Sequence, residues 1–346
     1  MKTIYDYTIK DLETYLLSKN QKKFKAKQIY SWLYRKRINN FEEMTDQKSE
    51  FIAELSKEMV IDPLRLVTKQ VSKDQTVKFL FKLQDDALVE SVLMSFNYGY
   101  SLCVTSQVGC NMGCKFCASG LLKKQRNLTA GEIVGQVVYV QKYLDEANKR
   151  LSNIVVMGTG EPFDNYQNVM NFCEIVNSDL GLAIGARKIT ISTCGLVDKI
   201  KLSSQEHKQY NLAISLHAAN DELRSQLMPI NNRYNIAELM ASLDEYSKTN
   251  NRRLTFEYIL LKGVNDSEQA AKELADLIRG KNAYVNLIPY NSVDENSFQG
   301  ANEKQALRFY DSLMKKGIKC TLRVEHGSDI DGACGQLRAK YYDKGD

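Results

Sequence analysis

Leu102-Cys-Val-Thr-Ser-Gln-Val-Gly-Cys110-Asn-Met-Gly-Cys114-Lys-Phe-Cys117 runs from a short apolar segment, which reads as a buried strand, straight into three cysteines. The cysteines are separated by gaps of three and two residues, and Gly109 and Gly113 let the loop turn tightly enough for the thiols to converge. Three thiolates with one position left open suit a 4Fe–4S cluster that binds a further ligand on its fourth iron. A structural zinc site asks for a fourth Cys or His at related spacing. The histidines are His207, His217 and His326, all distant in sequence. The alternatives that remain are three core cysteines, or a zinc site that borrows a ligand from elsewhere in the chain.

Outward from this loop the pattern alternates strand and helix. Buried-strand runs are expected at 102–106, 153–157, 188–193, 210–216, 254–260, 284–288 and 320–324. Helical patterns fall between them. One opens at Thr129 with Glu132 three residues on, a capping box. Others cover 168–177, 236–249, 267–279 and 302–315. This order predicts parallel βα units. Six or seven units fall short of the eight of a closed barrel, so the fold class is α/β, a partial (β/α)6 TIM-type barrel with an open side that admits a bulky substrate.

The 346 residues carry a net charge of +5, 43% hydrophobic and 26% charged residues, which excludes a disordered chain, a collagen and a coiled coil. No apolar run is long enough to cross a membrane and no secretory signal is read at the N-terminus, so a cytoplasmic protein is expected. In that setting the eight cysteines point to metal ligands, catalytic thiols or small core residues rather than structural disulfides. Residues 19–37 hold eight basic side chains and no acidic one, interleaved with Phe24, Tyr30, Trp32 and Tyr34. Ile29, Trp32 and Leu33 read as one helix face. Three parts are therefore expected: a basic helical RNA-binding domain at 1–62, a linking β region of two or three antiparallel strands at 63–98, and the barrel with a C-terminal cysteine loop at 99–346.

The three-cysteine motif, with Phe116 before its last cysteine, resembles that of the radical S-adenosylmethionine (SAM) superfamily. The flanking residues narrow the match. Cys103-Val-Thr-Ser-Gln-Val-Gly-Cys110, Arg126-Asn-Leu-Thr129, Met157-Gly-Thr-Gly-Glu-Pro162, Ser215-Leu-His217, Met228-Pro-Ile-Asn231, Gly263-Val-Asn-Asp266 and Asp329-Ile-Asp-Gly-Ala-Cys-Gly-Gln-Leu337 are similar to the RNA methyltransferases that modify carbon 2 of adenine. The resemblance runs nearly end to end. It implies two substrates, an adenine in the peptidyl-transferase centre of 23S rRNA and the adenine 3′ of the anticodon in tRNA. It also implies two SAM molecules per turnover and an electron donor such as flavodoxin or ferredoxin. We expect a monomer.

The same resemblance implies the site roles. Cys110, Cys114 and Cys117 hold the cluster. Cys334 takes a methyl group from one SAM; a deoxyadenosyl radical made from a second SAM removes a hydrogen from that methyl, and the carbon radical adds to the base. Glu90 accepts the proton. Attack by Cys103 then releases methylated RNA and leaves a Cys103–Cys334 disulfide. Phe116, Gly160, Glu161, Ser192, Ser215, Leu216, His217 and Asn291 are assigned to SAM binding. Thr159 stands where the family more often has Met. Read without the family, Cys103 is a strand-core cysteine, Cys334 a small residue in a glycine-rich turn, Glu90 a strand residue free to face solvent, Ser192 a strand-end cap and His217 a satisfied core histidine. Cys173, Cys194 and Cys320 read as packing residues.

Phosphate contacts are expected from residues 19–37, Lys123, Lys124, Arg126, Arg252 and Arg253. Three rival functions share parts of this pattern, one of them a radical SAM enzyme with a protein or small-molecule substrate, which needs no methyl carrier at Cys334. A sibling enzyme that methylates carbon 8 of the same rRNA adenine, conferring antibiotic resistance, uses the same cysteines; Pro162 after Glu161 and Thr255-Phe-Glu-Tyr258 favour the carbon-2 enzymes. A non-catalytic zinc-containing RNA-binding protein is the reading from another class.

Overall fold

The computed structural model describes residues 2–121, 123–291, 297–324, 326–327, 329–332 and 336–343. The chain opens with three helices, α1 (Ile9–Ser18), α2 (Lys25–Tyr30) and α3 (Ser49–Glu58), and α2 runs on into a π-helical turn at Ser31–Lys36. Thr8 and Asp11 cap α1 reciprocally. Ile29 and Leu33 are fully buried, as their spacing predicts. Trp32 is half-buried instead, because its indole N–H donates to Asp46 Oδ1 at 2.8 Å. The ends of the basic run are used within the protein. Lys19 pairs with Glu54 and Glu58 of α3, and Arg37 pairs with Asp145.

An antiparallel meander follows: β1 (Leu64–Val71), β2 (Val77–Leu83) and β3 (Leu88–Phe96). Its turns fall at the polar runs Ser72-Lys-Asp74 and Gln84-Asp-Asp86, with Gln75 and Asp86 left-handed at φ 66° and 65°. β4 (Gly99–Cys103) pairs antiparallel with β3 on one edge and parallel with β5 (Leu151–Val156) on the other. Next come β6 (Ile189–Thr193), β7 (Asn211–Ser215), β8 (Leu254–Leu260), β9 (Ala283–Pro289) and β10 (Cys320–Leu322). All ten strands form one sheet, in which β4 to β10 are parallel and lie side by side in chain order. That order is the order of a barrel wall; a doubly wound sheet reverses at its switch point. Among the described residues β10 does not pair back onto the sheet, so the barrel stays open. The antiparallel strands expected as a link are thus a hydrogen-bonded extension of the barrel sheet.

The crossovers are α4 (Ala130–Asp145), α5 (Tyr166–Asn177), α6 (Val197–Gln205), α7 (Asp221–Leu227) with α8 (Ile236–Thr249), α9 (Glu268–Ile278) and α10 (Glu303–Lys315). Thr129 and Glu132 cap α4 as predicted. α6 and α7 were not legible. They are short, and α7 carries three charged residues in seven. The first barrel strand ends at Cys103 rather than Ser106, because residues beyond it bond to the turn after β5: Ser106 N–H donates to Thr159 O at 3.0 Å. A last helix, α11 (Gln336–Asp343), closes the chain.

The N-terminal helices dock on the start of α4 through Gly131, whose N–H donates to Asp6 Oδ1 at 2.7 Å. A methyl group at Gly131 would meet the Thr3 side chain and come within 2.7 Å of Asp6 N. An exposed helical Gly→Ala change normally gains about 1 kcal/mol. Gly131→Ala is expected to lose about 1–3 kcal/mol through overpacking, measured from the denaturant midpoint. Gly185→Ala, where nothing lies within 4 Å, is the control and should be neutral or slightly stabilising.

Candidate active site

The cysteine loop leaves the sheet at β4 and is closed at its base by a short ladder in which Gln107 and Val108 pair with Asn127 and Arg126. Arg126 is fastened there by Asp85 and Glu132, and Lys124 pairs with Asp164 at 2.6 Å, so these two cations expected to meet phosphates brace the loop. Gly109 and Gly113 are left-handed at φ 77° and 70°, as the tight turn requires. Lys115 N–H donates to Leu227 O at 2.9 Å and seats the loop on the end of α7.

Cys110, Cys114 and Cys117 line a cleft of about 150 Å³ at the C-terminal ends of β5, β6 and β7. Phe116, Gly160, Glu161, Ser192, Ser215 and His217 line it too. Of the residues assigned to SAM, two lie elsewhere. Leu216 is fully buried in the core, with its carbonyl accepting from Arg224. Asn291, two residues past β9, is half-exposed and outside the cleft wall. Burial pushes the Cys110 thiol up to about 11 and Cys114 higher still, and the neighbouring sulfurs add to both shifts. Among the described residues no three Cys, His, Asp or Glu side chains converge closely enough to hold a single metal ion. A cubane cluster takes one thiolate per iron and asks for wider spacing.

The glycines of Gly158-Thr-Gly160 line the cleft and are also required by protein packing. A Cβ on Gly160, at φ 109°, would lie 2.6 Å from Gln107 Cβ, and one on Gly158 would lie 2.7 Å from Val104 O. They let the turn after β5 close over the turn after β4. Glu161 is buried; its carboxylate accepts from Phe163 N–H at 3.0 Å and Cys194 N–H at 2.8 Å. Burial raises its pKa against the pull of those bonds. The Thr193 and Cys194 side chains also bond this carboxylate.

His217 has φ 58° and is buried beside Phe116, ring centroids 4.7 Å apart. Burial and the Arg224 charge pull its pKa down to about 3, so it is neutral at physiological pH. Its Nδ1 accepts from Ile259 N–H at 3.1 Å, which puts the ring proton on Nε2.

Two groups escaped the sequence reading. Arg224 of α7 is fully buried and donates to the carbonyls of Leu216, Cys194 and Ser215 and to Asn231 Oδ1. All of these acceptors are neutral. A buried cation with no anion bound to it favours an anionic group nearby, and three cluster thiolates are one. Glu257 pairs in register with cleft-lining Ser215 and with Asn286; it is buried, and its Oε2 has no hydrogen-bond partner among the described residues. The donor set and these two incompletely compensated groups fit a bound cluster and a polar cofactor. Arg224 sits in no recognisable motif, and Glu257 falls within Thr255-Phe-Glu-Tyr258 without a role having been read for it.

Glu90, Cys103 and the C-terminal segment meet at the neighbouring edge. Ser91 of β3 bonds Gln136 of α4, so Glu90 and Val92 face the opposite side, the barrel interior. Cys103 pairs in register with Val92 and shares that face. Glu90 is only 5% exposed, not solvent-facing; its Oε2 lies 3.1 Å from Lys78 Nζ and its Oε1 accepts from Arg338 N–H at 2.7 Å. Cys334 lies outside the described residues. Cys173 and Cys320 are core residues as expected; Cys194 is buried and also lines the cleft.

Arg224→Met should cost several kcal/mol in unfolding free energy, at about 1–3 kcal/mol for each buried acceptor left unpaired. Thermal denaturation checks this, and an unchanged midpoint would show that the guanidinium does not tie the strand ends together.

The Radical SAM superfamily model matches residues 104–275, and the model of the ribosomal RNA large subunit methyltransferase N-terminal domain matches residues 2–61. A probable dual-specificity RNA methyltransferase RlmN of Lactococcus lactis subsp. cremoris (strain SK11) is 52% identical over 99% of this chain and 95% of its own. One from Enterococcus faecalis is 53% identical over 99% and 98%. The crystal structure of a radical SAM methyltransferase from Sphaerobacter thermophilus superposes with a TM-score of 0.93 at 42% identity, covering 97% of this chain and 99% of that one. The non-catalytic zinc reading is thereby set aside: this chain belongs to the RlmN family of radical SAM RNA methyltransferases.

Proposed function

We propose that this enzyme methylates carbon 2 of one adenine in the peptidyl-transferase centre of 23S rRNA and of the adenine 3′ of the anticodon in tRNA. The relatives' names, dual-specificity RNA methyltransferases, support two RNA substrates. The observation that carries the chemical reading is the arrangement of thiols and carboxylate. Cys103 ends the strand that leads directly into the three-cysteine loop, and Glu90 shares its face of the sheet.

Carbon 2 of adenine lies between two ring nitrogens and is too electron-poor to attack a SAM methyl group. A cluster on Cys110, Cys114 and Cys117, with two SAM per turnover, supplies the radical chemistry that avoids this step. The chain's own residues do the rest. Glu161, Ser192, Ser215, His217 and Phe116 hold SAM in the cleft, with Gly160, Leu216 and Asn291 shaping the backbone around it. Cys334 carries the methyl group as a thioether and presents it to the base. Glu90, paired with Lys78, takes the proton that leaves carbon 2. Cys103 attacks the Cys334 sulfur and the bond from that sulfur to the methyl-derived carbon breaks; that carbon takes up a proton to become the methyl group, the one unpaired electron of the adduct would return to the oxidised cluster, and methylated RNA departs as the disulfide forms. The disulfide is reduced before the next turnover.

The exposed Lys123 and residues 22–27 offer cations to the RNA backbone. Reaching carbon 2 requires the adenine to leave its stack. No helix of the described residues is long and apolar enough to cross a membrane. Ribosomal and transfer RNA substrates and reactive thiols support the reading of a cytoplasmic enzyme, a monomer served by a flavodoxin- or ferredoxin-type reductant.

The test is nucleoside mass spectrometry of rRNA and tRNA from a deletion strain complemented with this chain. The expected product is 2-methyladenosine in both RNAs. Methyl on carbon 8 would overturn the assignment. Cys334→Ala should abolish the product while leaving the iron content of anaerobically purified protein unchanged, and Cys110→Ala should lose both.

A further inference from the structure

The segments on either side of Cys334 are fastened to a part of the sheet that the chemistry above does not use. Gln70 of β1 grips Asp331 twice: its Nε2 donates to Asp331 Oδ2 at 2.9 Å and its Oε1 accepts from Asp331 N–H at 3.0 Å. In the β1–β2 turn, Ser72 bonds Asp329, Lys73 N–H donates to Asp329 Oδ2 at 3.2 Å, and Asp74 Oδ2 accepts from Gly327 N–H at 3.0 Å. Leu337 completes the seat in a small apolar cluster with Leu80 of β2 and Leu88 of β3. These contacts join residues more than 240 positions apart.

Lys78 stands at the centre. It is wholly buried on β2, where an ammonium group is costly unless partnered. Its Nζ donates to the Asp331 carbonyl at 2.6 Å and lies 3.1 Å from Glu90 Oε2. The other oxygen of Glu90 accepts from Arg338 N–H. One buried ion pair therefore holds the chain three residues before Cys334 and four residues after it. Part of the ammonium's solvation comes from residue 331 itself, so withdrawing that segment removes a charge-assisted bond from a group that water does not reach. Gly332 is demanded by the same packing, since a Cβ there would lie 2.7 Å from Gly327 O.

We propose that the β1–β2 hairpin is the cradle of the cysteine-bearing C-terminal segment, and that Lys78 is a positioning residue which sets that segment against Glu90. The proposal rests on the reading of Cys334 as methyl carrier. The antiparallel extension then defines the station at which the thiol, the carboxylate and the target base meet, as distinct from the station at which the thiol is loaded from SAM.

The experiment compares the full chain with Lys78→Met, Lys78→Arg and Gln70→Ala. In hydrogen exchange of the apo-protein, peptides covering 327–343 should exchange at least tenfold faster in Lys78→Met and Gln70→Ala. Peptides from β6 to β9 should not change, and Lys78→Arg should recover much of the protection. In reconstituted enzyme, Lys78→Met should still carry a methyl group on Cys334, read by peptide mass spectrometry. Its transfer to RNA should fall at least tenfold. Exchange at 327–343 unchanged in both Lys78→Met and Gln70→Ala overturns the cradle. Loss of loading and transfer together in Lys78→Met overturns the positioning role. Gln70→Ala leaves the ion pair intact, so it decides the cradle even if Lys78→Met does not fold. Absence of a methyl group on wild-type Cys334 would instead defeat the methyl-carrier reading, while the exchange result still decides the cradle.

Discussion

Strand β4 is hydrogen-bonded antiparallel to β3 on one edge and parallel to β5 on the other, and the geometry of the site follows from that double pairing. On the parallel side, β4 starts a barrel wall whose strand ends all point the same way, so the loops after β5, β6 and β7 surround the cysteine loop. On the antiparallel side, the register Val92 to Cys103 brings a carboxylate onto the same face as a thiol. A one-residue slip of β3 would turn Glu90 towards α4 and Ser91 inward, since side chains alternate across a sheet. Gln136 guards against the slip. Its side chain accepts from Ser91 Oγ and from Thr105 N–H and donates to Thr105 O, locking β3, the end of β4 and α4 together.

Buried charge is the second organising element. Arg224 beneath the cleft and Lys78 beside Glu90 are both excluded from water, and each ties together segments remote in the chain. Neither is an obvious source of net stability, because burying a cation costs about what its partners return. What each supplies is uniqueness of position. Arg224 collects carbonyls from the ends of β6 and β7, whose side chains line the cleft. Lys78 collects a carboxylate from β3 and a carbonyl from the C-terminal segment. The neutral His217 and the Glu257 oxygen without a partner among the described residues complete an interior that offers donors and acceptors to a polar ligand.

Much of this was legible in the residues. β8 and α8 fall on their predicted bounds, and the Thr129, Ser267 and Asn302 caps mark their helices, because period and capping chemistry are local properties. The left-handed glycines of the cysteine loop follow from the spacing of the thiols. What local pattern could not reveal was which polar residues are covered from afar. Val77-Lys-Phe-Leu-Phe-Lys-Leu83 alternates, and a lysine in such a strand faces solvent by default. Lys78 is buried only because residue 331, far along the chain, lies over it. Arg224 reads as one more charge on a short helix for the same reason. The glycines near Glu161 were legible as special, yet their cause is the side chain of Gln107 and the backbone of Val104. The roles of Cys103 and Cys334 came from the family motif alone, since a single cysteine in a strand or turn carries no chemical signature of its own.

The central claim is that two thiols divide one reaction: Cys334 bonds to the methyl-derived carbon, and Cys103 releases the RNA from it. The most direct measurement is intact mass spectrometry and denaturing electrophoresis of Cys103→Ala, reconstituted with cluster and incubated with SAM, reductant and a tRNA substrate. The account predicts RNA covalently held through Cys334, with little free 2-methyladenosine. Undiminished release of methylated RNA, with no protein–RNA adduct, would contradict it.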